Sequence, residues 1–253
     1  IAASYDGKIF DEYVDPCQPI HPAASNVTGL TYTCGKLFHN FNLVPTLSQK
    51  DALESFIEWI PLNSVLVAHN CKNFDARILV SSVQRYGLLD KLKHKHCCFS
   101  DTLSVFREIL PPRSSYSEEN LVNDYLHTEY SAHNAKHDVH MLQQLIGKCN
   151  VDISHISKHS FSVDFIIEAL EFLLCKKKNL SSLSQLISKK VITKCMAEKI
   201  AASGLAFCHL NLAYSRGGID GLVKLLSEDY FGHPRVTKHK KTFLSLSQFF
   251  EKK

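Results

Sequence analysis

The stretch at 64–75, SVLVAHNCKNFD, constrains the fold most. Val65, Leu66, Val67 and Ala68 form a short unbroken apolar run of the kind that is buried on both faces of a sheet. His69 and Asn70 end the run with polar side chains, and Asp75 opens a helical pattern over 75–89. A buried strand, a polar turn and a carboxylate entering a helix are the local pattern of an α/β sheet. In such sheets, sites form beyond the carboxyl ends of the strands.

A second stretch, 131–142 (SAHNAKHDVHML), supplies the chemistry that could share such a site. With a helix starting near Asn134, residues Ala135, Val139 and Leu142 lie on one face. His133 then stands at the helix mouth and Asp138 just over one turn inside. A neutral imidazole can take a proton from water, and a carboxylate can hold a divalent cation. A His and an Asp on one amphipathic helix are also ordinary surface residues, so the stretch gains weight only from its surroundings.

Taken in order, 1–4 and 8–14 read as two strands joined by Tyr5-Asp6-Gly7. Pro16, Pro19 and Pro22 mark an irregular segment. One helical turn at 23–26 precedes Thr28-Gly29-Leu30, which as bare sequence is a loop. Residues 48–60 form a helix capped by Ser48, with Leu53, Phe56, Ile57 and Ile60 as its apolar stripe and Pro61 as its stop. Further helices are expected at 102–110, ended by Pro111-Pro112, at 118–126, with Leu121, Val122 and Tyr125 inward, and at 134–149. The run 91–98, KLKHKHCC, offers His94, His96, Cys97 and Cys98 as zinc ligands. Adjacent cysteines on a strand point to opposite faces, and no CxxC partner exists. A basic connector entering a strand at 97–100 is the reading adopted. Asp101 follows just after that strand.

Beyond residue 150 the sequence turns Ser-, Lys- and Leu-rich and reads as helices at 161–174, 181–188, 191–203, 206–216 and 221–227. Lys176-Lys177-Lys178 would end the first of these, and Gly204 and Gly217-Gly218 serve as stops. The run 235–241, RVTKHKK, is a solvated loop or a phosphate-contacting patch that Lys176–178 and Lys189-Lys190 could extend. At 253 residues the chain has room for two domains, taken as 1–150 and 151–253. Hydrophobic residues make up 45%, with no run near the ~20 of a membrane span, so no membrane partner is expected. Nine cysteines without paired spacing point to reduced thiols and a cytosolic or nuclear setting. A net charge of +4 is compatible with nucleic acid without requiring it.

HN…FD at 69–75 followed by H-x-A-x-x-D at 133–138 resembles the DEDDh (DnaQ-like) 3′→5′ exonucleases. PIHPAASNVTGL at 19–30 is similar to that family's segment around its hGI/tGL turn, and 100–122 to its DTL…LP…Y…ENL stretch. The resemblance implies an RNase H-like mixed sheet flanked by helices, here followed by an all-α C-terminal region. It implies Asp75 and Asp138 as metal-binding carboxylates, His133 as general base and two Mg²⁺ or Mn²⁺ ions. Thr28, Gly29, Leu30, His69 and Asn70 would face the terminal nucleotide. The substrate would be nucleic acid, DNA favoured and RNA the alternative, with nucleoside 5′-monophosphates as products. The family's D-x-E pair does not occur before Asp75. Its strand is central to such a sheet, and the chain opens at Ile1 without Met. The expectation is therefore that the motif lies upstream, the other reading being a pseudo-exonuclease whose binding function remains. The pattern KIAASGL…HL…AY…GGIDGL at 199–222 resembles the C-terminal part of the PML-like (promyelocytic leukaemia protein) exonuclease domains. That resemblance favours the nucleus, with nuclear protein partners reached through the helical region.

Overall fold

The computed structural model describes the chain except for residues 17, 96–97, 129–133, 231 and 253. It contains two compact units, Ile1–Ile167 and Glu168–Lys253.

The first unit opens with an antiparallel hairpin, β1 (Ala2–Tyr5) and β2 (Lys8–Asp11). Asp6 and Gly7 both take positive φ (48° and 72°), the backbone that a two-residue turn between right-twisted strands needs. Helix α1 (Pro22–Thr28) follows, two turns where one was expected, with Pro22 as its first residue. It leads into a three-stranded antiparallel sheet of β3 (Leu30–Thr33), β4 (Lys36–His39) and β5 (Asn42–Leu43), for which the sequence reading has no counterpart. Helix α2 (Gln49–Trp59) matches its reading closely. The Ser48 hydroxyl accepts the Asp51 amide, and Leu53, Phe56, Ile57 and Ile60 are all buried.

Strand β6 (Val65–Ala68) pairs in parallel with β7 (Cys98–Asp101), Val65 opposite Cys98 and Ala68 opposite Asp101. Parallel strands need a crossover, and α3 (Asp75–Arg85) with α4 (Leu89–His94) provides it. The single helix expected over 75–89 is thus two. Gly87 takes φ +68°, and the amides of Gly87 and Leu88 bond to the carbonyls of Gln84 and Val83, a Schellman stop that only glycine enters without strain. Because α4 resumes at once, the basic run starting at Lys91 is helical through His94 instead of a connector.

Helices α5 (Thr102–Ile109), α6 (Glu118–Leu126) and α7 (Ala135–Lys148) follow. Phe106, Leu121, Val122, Leu142 and Leu145 form one buried cluster among them. Helix α8 (Ile153–Lys158) and strand β8 (Ser160–Ser162) come next, and β8 pairs antiparallel with β7. Phe161, expected to start a helix, is therefore a strand residue. Its ring stacks on Phe99, centroids 5.7 Å apart, and a phenylalanine opposite another on one sheet face favours the strand. The parallel pair with this antiparallel addition is the mixed sheet of an RNase H-like fold.

Helix α9 (Val163–Ser182) runs on past Lys176–178. Lysine is a good helix former, and Leu180 beyond it packs against the second unit's core, so the lysines do not end the helix. In the second unit, α10 (Ser184–Ser188), α11 (Lys194–Ala202), α12 (Phe207–Ser227) and α13 (Lys240–Glu251) surround Leu186, Ile200, Leu210, Leu222, Leu246 and Phe250. A short ribbon of β9 (Asp229–Tyr230) and β10 (His233–Pro234) links the last two helices. Helix α12 is broken at Gly217-Gly218, with Gly218 at φ +55°, which matches the two helices expected there. A Cβ on Gly221 would lie 2.1 Å from the Ala213 carbonyl oxygen, so the two segments approach more closely than any larger residue permits.

Candidate active site

The parallel register sets the ends of β6 and β7 side by side, so His69 and Asn70 emerge next to Asp101. Asp101 is 4% exposed. One of its oxygens accepts the Leu103 amide and caps α5, and the other accepts the Lys72 amide at 3.1 Å. Both oxygens thus hold backbone. Asn70 turns the chain with φ +57°, and its carbonyl receives the amides of Asn73 and Phe74. This loop delivers Asp75 as the first residue of α3. The Asp75 side chain reaches solvent along one edge, yet the protein around it desolvates the carboxylate and raises its pKa. The charge of Asp101 adds to the rise, and a bond from its own amide offsets part of it.

His69 is held at both ring nitrogens. Nε2 lies 2.8 Å from the Tyr116 carbonyl and Nδ1 3.1 Å from the Thr102 hydroxyl. A carbonyl only accepts, so Nε2 carries the proton. Burial lowers the His69 pKa, with Arg107 helping and the Tyr116 carbonyl and Asp101 opposing, so the ring is neutral at pH 7.

The first turns of α6 and α7 supply the other carboxylates. Glu118 opens α6 and Asp138 lies in the first turn of α7. Glu118 Oε1 is buried without a hydrogen-bond partner among the described residues. Its pKa is pushed up to about 8, by burial first and then by the charges of Asp138 and Asp75. Glu118 therefore feels two other carboxylates, and each of the three lies in the first turn of its own helix. The helix dipoles favour negative charge there, while mutual repulsion and burial oppose it.

Among the described residues, no three His, Cys, Asp or Glu side chains are arranged to enclose an ion. The donor chemistry nevertheless suits one. The oxygens of Asp75, Glu118 and Asp138 are hard acceptors, Glu118 Oε1 buried and unpaired among the described residues, in a cluster whose repulsion a hard divalent cation relieves. His133, the expected base, lies outside the described residues, as do His96 and Cys97 of the alternative zinc reading.

Thr28, Gly29 and Leu30 sit where α1 turns into β3. The Thr28 hydroxyl donates to the Ala24 carbonyl and accepts the Leu30 amide. Gly29 has φ +68°, and a Cβ there would lie 2.3 Å from Asn40 Oδ1. The hydrogen bonds of this turn go to Ala24, Ser25 and Asn40, not to the carboxylate cluster. Glu118 is the residue that sequence reasoning missed. Two glutamates after a serine cap are the ordinary beginning of a helix, and nothing local tells that one of them feels the charges of Asp75 and Asp138.

The family model described as "Exonuclease" matches residues 2–146. The chain belongs to the exonuclease family. Membership assigns it nuclease chemistry on nucleic acid, in a family that generally uses divalent metals. A second family model, "PML, C-terminal domain", matches residues 179–253, the region whose sequence resembles the PML-like domains. No curated protein matches the chain. Among the described residues no helix is long and apolar enough to cross a membrane, and Cys34, Cys149, Cys175, Cys195 and Cys208 are free thiols.

Proposed function

We propose that the chain is a metal-dependent 3′→5′ exonuclease that acts on DNA in preference to RNA and releases nucleoside 5′-monophosphates. The observation that carries the reading is that Glu118 feels the charges of Asp138 and Asp75, with one of its oxygens buried and unpaired among the described residues, in a member of the exonuclease family. Asp75 and Asp138 are the residues to hold Mg²⁺ or Mn²⁺, two ions in all, and Glu118 lends a third carboxylate. Divalent ions, when bound, supply charge neutralisation at the scissile phosphodiester and make water more acidic.

His133 takes the proton from the attacking water. The water oxygen bonds to phosphorus as the bond from phosphorus to the 3′ oxygen breaks, and that oxygen leaves with a proton. His69 positions the loop that carries Asp75, held by Thr102 and Tyr116. Asn70 and the backbone of Thr28, Gly29 and Leu30 face the terminal nucleotide. The functional division is placed at 150/151, with the catalytic part first, and the nucleus is the compartment in view of the PML match.

A second reading is an inactive exonuclease-like binding module of a PML-type nuclear protein. It draws on that same match. The test incubates the chain, and any longer natural protein containing it, with 5′-labelled and 3′-labelled oligonucleotides in Mg²⁺, Mn²⁺ or EDTA. Metal-dependent shortening from the 3′ end, lost in His133→Ala, supports the enzyme. A folded protein that leaves every end intact supports the binder.

A further inference from the structure

The charges of the two units differ in sign. Ile1–Ile167 carries fourteen Lys and Arg against eighteen Asp and Glu, while Glu168–Lys253 carries fifteen against seven. The basic residues of the first unit are also partly spent: Lys91, Lys93, Arg113, Lys136 and Lys158 pair with Glu54, Asp164, Asp124, Asp11 and Glu108. In the second unit, the only Lys or Arg in an ion pair among the described residues is Arg235, with Glu228.

We infer that the C-terminal helical unit is the nucleic-acid-holding part of the molecule, gripping the phosphate backbone of the strand through exposed lysines around α13. The inference rests on the exonuclease reading for the choice of polyanion. A unit that is net negative and gathers three carboxylates repels a phosphate chain at long range, so attraction has to come from elsewhere. Lys189, Lys190 and Lys194 lie between α10 and the first residue of α11, and Lys238, Lys240 and Lys241 enter α13; all six are exposed. The Lys189 ammonium stands over the Phe249 ring, 5.4 Å from its centroid, which sets the first group against the far end of the helix that the second group opens. The rise from Lys240 to Phe249 is about 13 Å at ~1.5 Å per residue. A single strand lying along the helix would therefore meet both groups through its phosphates. The contacts are to backbone phosphate, so the binding is sequence-tolerant.

The experiment measures anisotropy of a fluorescein-labelled single-stranded DNA 20-mer against the whole chain in EDTA, where metal-dependent hydrolysis cannot occur. Three charge-reversed variants are compared: Lys189→Glu/Lys190→Glu/Lys194→Glu, Lys238→Glu/Lys240→Glu/Lys241→Glu, and, as a control of equal net charge, Lys8→Glu/Lys36→Glu/Lys50→Glu in the first unit. Each of the first two is expected to bind at least tenfold more weakly at low salt, with a salt slope shallower by about one per lost phosphate contact, and the control to stay within about threefold of the parent. Circular dichroism confirms folding, and the second variant stands in if the first fails to fold. Equal weakening in the control, parent-like binding by both C-terminal variants, or equally good competition by polyglutamate would overturn the inference, the last in favour of an acidic protein partner. Hydrolysis plays no part in the readout. Lost binding in a protein without nuclease activity keeps this inference and removes the exonuclease reading, while retained binding in an active enzyme does the reverse.

Discussion

Glu118→Gln should stabilise the first unit at pH 8 and leave it unchanged near pH 4.5. The Glu118 pKa rises from 4.5 to about 8 in the folded chain. A folded pKa above the unfolded one means that the folded state favours the neutral carboxyl. The associated stability is fully present below pH 4.5 and is lost as pH rises toward 8. At ~1.4 kcal/mol per pKa unit the ceiling is about 5 kcal/mol. Water on the open side of the cluster screens the charges, so about 2 kcal/mol is the expected share. The amide keeps the side chain's shape, does not titrate, and can donate to the neighbouring carboxylates. Urea unfolding in EDTA at pH 4.5, 6 and 8 measures the effect, with Trp59 as reporter. It is the chain's single tryptophan and packs on Phe10 and Phe56. The gap between variant and parent should open steadily across that window. Saturating Mg²⁺ should narrow it, because the ion binds the parent's three carboxylates more tightly than the variant's two and so stabilises the parent more. A variant less stable than the parent at pH 8 in EDTA, or a gap independent of pH, would refute the assignment of Glu118 to the cluster.

Asp75→Asn and Asp138→Ala should abolish metal-dependent hydrolysis while the protein stays folded. His133→Ala should lower the rate by about 10²–10⁴ with Mn²⁺ binding by calorimetry retained; wild-type rates in any of these, confirmed folded, would move the site elsewhere. Gly29→Ala should cost about 1–2 kcal/mol from its left-handed backbone alone, plus the clash with Asn40. Adding Asn40→Ala should recover only the second part, measured as a coupling energy in a double-mutant cycle. Gly221→Ala meets a backbone carbonyl that cannot step aside, and should lower the stability of the second unit by about 1–3 kcal/mol in thermal unfolding. Leu145→Ala, in the fully buried cluster joining α6 and α7, should cost about 2–5 kcal/mol and loosen the helices that carry Glu118 and Asp138.

Elements whose signals are local were legible in the sequence. The Ser48 cap with its stripe of four buried residues, the Asp6-Gly7 hairpin and the Gly217-Gly218 break each depend on neighbours within one or two turns. Where the reading diverged, a partner distant in sequence decided. Phe161 is a strand residue because Phe99 lies opposite it, and α9 passes its lysines because Leu180 has a core to meet. The split at Gly87 is the exception, a local signal that the apolar periodicity on either side concealed.

The site follows the same division. Asp75 is readable because a buried strand ending in polar residues declares where a sheet opens, and Asp138 because a helix start with a histidine before it has a small set of uses. Glu118 carries no such mark. It reaches the site only because Leu121 and Val122, on the helix it opens, pack on Leu142 and Leu145 of the helix bearing Asp138. Apolar packing thus brings together two helix starts, each of which tolerates a carboxylate by itself through its dipole. Burial there, and then the excess of negative charge brought together, push Glu118 up to about 8. In the folded chain that excess can be met by a proton or by a cation. Above pH 8 protons are too scarce, so hydrolysis driven by divalent ions and their hold on Asp75, Glu118 and Asp138 should both strengthen from pH 6 to pH 8 as Glu118 gives up its proton.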